Sequence, residues 1–75
     1  MALTRERIRQ DVAEVLDEDP QDIPFDENLV DYGLDSVRIM TLVERWRREG
    51  VEVTFVELAE QPAIEAWMAL PGVGA

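Results

Sequence analysis

Apolar residues recur along this chain at helical rather than strand spacing. Ile8, Val12, Val15 and Leu16 share one narrow face when residues are set about 100° apart, and Thr4 stands before them as a capping side chain. A first helix is therefore predicted over about residues 5 to 16. The next stretch, DEDPQDIPFDENL, holds two prolines and six acids with no regular period. It reads as a long loop in which Ile23, Phe25 and Leu29 are pinned to the core. Loops of this length inside a small domain usually serve function. A second helix opens at Asp35 or Ser36 and runs to Arg48; Arg45, Arg47 and Arg48 suit the negative end of its dipole, and Gly50 suits the residue beyond the cap. TFVE, residues 54 to 57, fits a capping box and opens a short third helix. Pro62 suits the first position of a last helix whose apolar face is Ala63, Ile64, Trp67, Met68 and Leu70, and Pro71 and Gly72 end it. VEVTFVEL alternates briefly, but no other segment offers it a partner strand. The expected fold is all-α: four helices, the third short, with a long loop between the first two.

The second helix separates its apolar residues into two groups. Ile39, Leu42, Val43 and Trp46 fall on one side and should face the core, whereas Val37 and Met40 fall on roughly the opposite side, beside Ser36. Thr41, Glu44 and Arg48 complete that outer face, with Arg38 and Arg45 on its flank. Apolar side chains exposed next to a candidate reactive group suggest a docking surface, and methionine adapts to several partners. Single exposed apolar residues are also ordinary on any protein surface. Trp46 and Trp67 read as core packing rather than a ligand-stacking pair.

Composition narrows the chemistry. The 75 residues make one domain, 1–75, with a folded core over about 4–70 and a flexible tail at 71–75. The chain has no histidine and no cysteine, and all seven of its basic residues are arginine, so zinc, haem, disulfide and catalytic-triad chemistries lack their usual groups. Ser36 has neither a base nor a G-x-S-x-G elbow, which excludes a self-contained hydrolase. A serine at a helix start is by default a cap. The other use of such a position is to carry a phosphate, because the free amides and positive dipole end of the helix stabilise that charge.

The net charge of −10 argues against nucleic acid and for protein partners. The charge is unevenly placed: residues 11 to 35 hold ten acids and no arginine, and residues 36 to 50 hold four arginines. Calcium-loop frames starting at Asp17 or Asp31 put the wrong residues at the glycine and glutamate positions, so the acids read as a solvated, partner-steering surface. With 47% hydrophobic residues the chain should fold rather than stay disordered. No apolar run approaches the roughly 20 residues of a membrane span, and MALTRERIRQ lacks the apolar core of a secretory signal; a cytoplasmic monomer is expected.

GLDSVR, residues 33 to 38, resembles the G-x-D-S motif of acyl, peptidyl and aryl carrier proteins, whose serine receives a 4′-phosphopantetheine arm from coenzyme A. Nearly the whole chain follows that family's order of elements. DSVR, ERWRR at the end of the second helix, FVELAE and the tryptophan of the last helix are most similar to the aryl carrier domains of siderophore synthesis. Fatty-acid carriers have a strongly acidic second helix beginning DSL, from which Val37 and four arginines depart.

The resemblance implies a four-helix carrier bundle with 4′-phosphopantetheine covalently held on Ser36. It implies Asp35 as helix cap, with help at the transferase interface, and Val37, Arg38, Met40 and Thr41 as the face shown to partners. The implied partners are a magnesium-dependent phosphopantetheinyl transferase, an adenylating ligase loading an aryl acid such as salicylate or 2,3-dihydroxybenzoate, and a condensation domain. The carrier itself is no enzyme, and it is expected either as a free-standing protein or as an excised domain. The competing expectations are a peptidyl or acyl carrier of another pathway, and an acidic helical adaptor with no prosthetic group.

Overall fold

A computed structural model describes residues 3–73. Among the described residues there are four α-helices, in the order α1 (Arg5–Leu16), α2 (Ser36–Arg48), α3 (Phe55–Glu60) and α4 (Ile64–Met68). The first three begin where local chemistry predicts. Thr4 Oγ1 accepts the Arg7 N–H at 3.0 Å, Asp35 caps α2, and Thr54 and Glu57 form a reciprocal capping box at α3. Helix α1 ends at Leu16; the Asp17 N–H still reaches the Ala13 and Glu14 carbonyls, and the left-handed Asp17 backbone (φ 57°) folds the Glu18 N–H back onto the Ala13 carbonyl at 2.9 Å.

The segment between α1 and α2 carries more regular structure than its sequence pattern suggests. It contains two 3₁₀ turns, Pro20–Asp22 capped by Asp19 and Leu29–Tyr32 capped by Asn28. Ile23 and Leu29 are buried and Phe25 is partly buried, as expected. The guanidinium groups of Arg5 and Arg9 stand 5.4 and 4.7 Å from the centre of the Phe25 ring. Two backbone bonds tie this segment to the start of α4: Leu29 N–H donates to the Pro62 carbonyl at 2.7 Å, and Glu65 N–H donates to the Phe25 carbonyl at 2.8 Å.

Those bonds explain where α4 departs from expectation. Pro62 is not its first residue, and the helix ends at Met68 rather than Leu70. Pro62 instead presents its carbonyl to Leu29, and Ala63, extended at φ −142°, becomes the cap without any side-chain bond. Beyond α4 the chain stays on the body: Val73 is fully buried, and Leu3 N–H donates to its carbonyl at 3.2 Å. Leu3 and Val73, which flank the expected folded core of about 4–70, close one another over the buried residues. Of the expected tail, Pro71 is exposed, Gly72 is half-buried and Val73 is buried, and 74–75 lie outside the described residues.

Gly72 permits this closure, since a Cβ there would fall inside van der Waals contact with the Glu52 carbonyl oxygen. Gly72→Ala is expected to destabilise the fold by about 1–3 kcal/mol, seen as a lower urea midpoint at an unchanged m-value.

Ile39, Leu42, Val43 and Trp46 of α2 enter the core, and Trp46 meets Trp67 of α4 edge to face at 5.9 Å. Each indole has its own acceptor: Trp67 Nε1 donates to the Leu58 carbonyl at 3.1 Å, and Trp46 Nε1 donates to Asp11 Oδ2 at 2.7 Å. Asp11, one acid among ten in the sequence pattern, is the buried one among the described residues. Its carboxylate also receives Arg7 Nε at 3.1 Å and Arg45 Nη1 at 3.4 Å. Arg7 continues to Glu49 and Arg45 to Glu14, so one buried acid joins α1 to the far half of α2. Among the described residues no helix is long and apolar enough to cross a membrane.

Candidate functional site

Ser36 is placed by the residues around it rather than by bonds of its own. Leu34 is buried and anchors the approach, and Gly33 at φ 103° turns the chain out of the second 3₁₀ turn into α2. Asp35 then caps the helix: its Oδ1 accepts the Arg38 N–H at 2.9 Å, and its Oδ2 accepts Arg38 Nη1 at 2.8 Å. These contacts, the backbone N–H first, hold the Asp35 carboxyl below the ordinary carboxylate range against a smaller opposing effect of desolvation. Asp35 rather than Ser36 is thus the cap, which removes the default role of the serine.

Ser36 is exposed as the first residue of α2, and its hydroxyl makes no hydrogen bond to the described residues. It stands on the first turn of a 13-residue helix, where amide N–H groups lack intrahelical acceptors and the dipole is positive. A free hydroxyl in that setting fits a phosphodiester, whose negative charge the turn stabilises.

The outer face of α2 is laid out as its periodicity predicts. Val37 is 73% and Met40 44% exposed, and Thr41 is exposed with its hydroxyl donating to the Val37 carbonyl at 3.1 Å. Arg38 departs from this group: its guanidinium is turned back onto Asp35 and onto the Val15 carbonyl, which Nε reaches at 2.9 Å.

Three exposed apolar residues escaped the periodicity. Val30 and Tyr32 lie on the 3₁₀ turn leading to the serine, and Val56 lies on α3, which packs against α2. Asn28 before LVDY and Gly33 after it form a cap-and-stop pair that could have revealed the turn. A hollow of about 400 Å³ lined by Arg47, Gly50, Glu52, Val53 and Thr54 lies at the other end of α2.

Residues 6–70 match the protein family described as phosphopantetheine attachment site. The chain belongs to that family. Its prosthetic group is 4′-phosphopantetheine, held covalently. Among curated proteins, the chain is 67% identical over 67 residues to an isochorismatase of Bacillus subtilis, covering 89% of this chain and 22% of that protein. It is 50% identical over 64 residues to enterobactin synthase component B of Escherichia coli, covering 84% of this chain and 22% of that protein. It is 46% identical over 68 residues to acyl carrier protein ScoB of Streptomyces coeruleorubidus, covering 91% of this chain and 80% of that protein. The chain thus spans less than a quarter of the first two relatives and most of the third. Among the described residues, GLDSVR displays a serine hydroxyl free of protein hydrogen bonds beside a capping acid at a helix start.

Proposed function

We propose that this chain is an aryl carrier of siderophore assembly, with Ser36 as the attachment point of its prosthetic arm. The observation that carries the reading is the Ser36 hydroxyl, exposed and free of internal bonds on a helix turn already capped by its neighbour. When bound, 4′-phosphopantetheine supplies a terminal thiol on which an acyl group is held as a thioester.

The chain's own residues do the rest of the work. Ser36 would supply the oxygen of the new phosphodiester as the pyrophosphate bond of coenzyme A breaks and adenosine 3′,5′-bisphosphate leaves; no described side chain hydrogen-bonds the serine hydroxyl, so the base that takes its proton is assigned to the transferase. The first turn of α2 stabilises the added negative charge. Val37, Met40 and Thr41 form the face offered to a phosphopantetheinyl transferase, an aryl-acid adenylating ligase and a condensation domain. The chain makes and breaks no bonds of the carried acid, and the absence of a membrane-crossing helix among the described residues is compatible with cytoplasmic partners. The likeness to an isochorismatase and to enterobactin synthase component B supports the aryl branch.

An acyl carrier of another pathway is the second reading, favoured by the relative named an acyl carrier protein, 80% of which this chain spans. Loading distinguishes the two. The arm-bearing protein is offered ATP and either salicylate or 2,3-dihydroxybenzoate with an aryl-adenylating ligase, or a fatty acid with an acyl-activating ligase, and intact mass is read. Gain of the aryl mass alone is the expected outcome. Gain of the fatty acyl mass alone would establish the second reading.

A further inference from the structure

Arg38 stands on the flank of α2 by periodicity and among the partner-facing residues by the family resemblance, yet its guanidinium is turned back onto Asp35 and the end of α1. Helix α1 has no basic residue in its last turn, and Asp17, Glu18 and Asp19 follow it. The nearest backbone donors beyond it go elsewhere: Asp17 N–H reaches Ala13 and Glu14, and Glu18 N–H reaches Ala13. The Val15 carbonyl is therefore left open at the negative end of α1, and Arg38 Nε fills it from the neighbouring helix at 2.9 Å. The same guanidinium holds Asp35 Oδ2 at 2.8 Å, while the Arg38 backbone N–H holds Asp35 Oδ1 at 2.9 Å. One residue thus fixes both oxygens of the carboxylate that precedes Ser36 and ties it to the end of α1. Arginine suits this place because its planar fork serves two acceptors at once, which a lysine ammonium does less well.

We propose that Arg38 is a positioning residue for modification of Ser36: it clamps the start of α2 against the end of α1 so that the serine is presented in one geometry to the transferase. The assignment rests on Ser36 being the attachment point. It separates Arg38 from Val37, Met40 and Thr41, whose side chains remain available to a partner. A positioning residue acts on the reacting geometry, so its loss lowers kcat; a partner contact acts on association, so its loss raises KM and weakens the salt dependence.

The test measures steady-state transfer from coenzyme A by a magnesium-dependent phosphopantetheinyl transferase, at two salt concentrations, on wild type, Arg38→Gln and Arg38→Lys. Circular dichroism confirms that each is folded. Arg38→Gln is expected to lose about five- to tenfold in kcat with KM and salt dependence unchanged, the scale of one charge-assisted hydrogen bond partly exposed to water. Arg38→Lys should recover part of the loss. In the free wild type the Arg38 Nε–H NMR signal should exchange slowly, a signature independent of any transferase. A raised KM at unchanged kcat, with a flatter salt dependence, would assign Arg38 to the partner interface and overturn the proposal. Equal kinetics in all three proteins, or fast Nε–H exchange, would overturn it too. A wild type that gains no mass at all overturns the attachment reading, and this role for Arg38 falls with it.

Discussion

Ser36→Ala is expected to gain no mass on incubation with coenzyme A, magnesium and a phosphopantetheinyl transferase, while unfolding within about 0.5 kcal/mol of the wild type. The two halves of this result come from different features of one helix turn. Loading is lost because the substitution removes the oxygen that would bear the arm. Stability is kept because the serine is not the cap: Asp35 Oδ1 already accepts the Arg38 N–H, and the Ser36 hydroxyl bonds none of the described residues.

The control is Asp35→Ala, which removes the actual cap and should cost about 0.5–2 kcal/mol. Intact mass reads the first property and urea unfolding the second. A Ser36→Ala protein that still gains the arm would move the attachment point elsewhere. One that is destabilised as much as Asp35→Ala would restore the serine to a capping role.

The largest structural loss is expected at Asp11. Asp11→Ala should destabilise the protein by about 2–4 kcal/mol, out of about 4–11 kcal/mol for a chain of 75 residues. The surrounding guanidinium groups are not the main cause: the side chains of Arg7 and Arg45 are 39% and 29% exposed, so water reaches them once their partner is gone. The indole of Trp46 is fully buried, and without Asp11 its N–H keeps no acceptor. Asp11→Asn preserves an acceptor oxygen of the same reach and should lose only about 1 kcal/mol. Urea unfolding followed by tryptophan fluorescence measures both. Equal losses in the two variants would show that charge matters more than the indole bond.

The start of each of the first three helices was legible because caps are local chemistry. Thr4, Asp35 and Thr54 each bond an N–H three residues away, within reach of a reader who sees only sequence. The core face of α2 was legible for a similar reason, since periodicity alone separates Trp46 from Met40. What stayed hidden depends on partners distant in the chain. Pro62 was assigned to a helix because nothing local reveals that its carbonyl would be taken by Leu29. Asp11 looked like any surface acid until Trp46, 35 residues later, was brought against it. Arg38 was placed by its angle on the helix, but its direction is set by an open carbonyl on another helix. At the site, the pattern placed Asp35 and Ser36 at the start of α2, where the structure has them, but gave no sign of how the acid is held.

The bond between Leu3 and Val73 has a mechanical consequence. Chain leading into residue 3 and chain leading out of residue 73 depart from one seam, beside Glu52 and just past the end of α2. Ser36 begins that helix, and 13 residues at about 1.5 Å each put roughly 20 Å between the seam and the serine. Any tethers from the two ends would therefore leave the serine pole unobstructed, free to swing like the tip of a lever whose pivot is the seam.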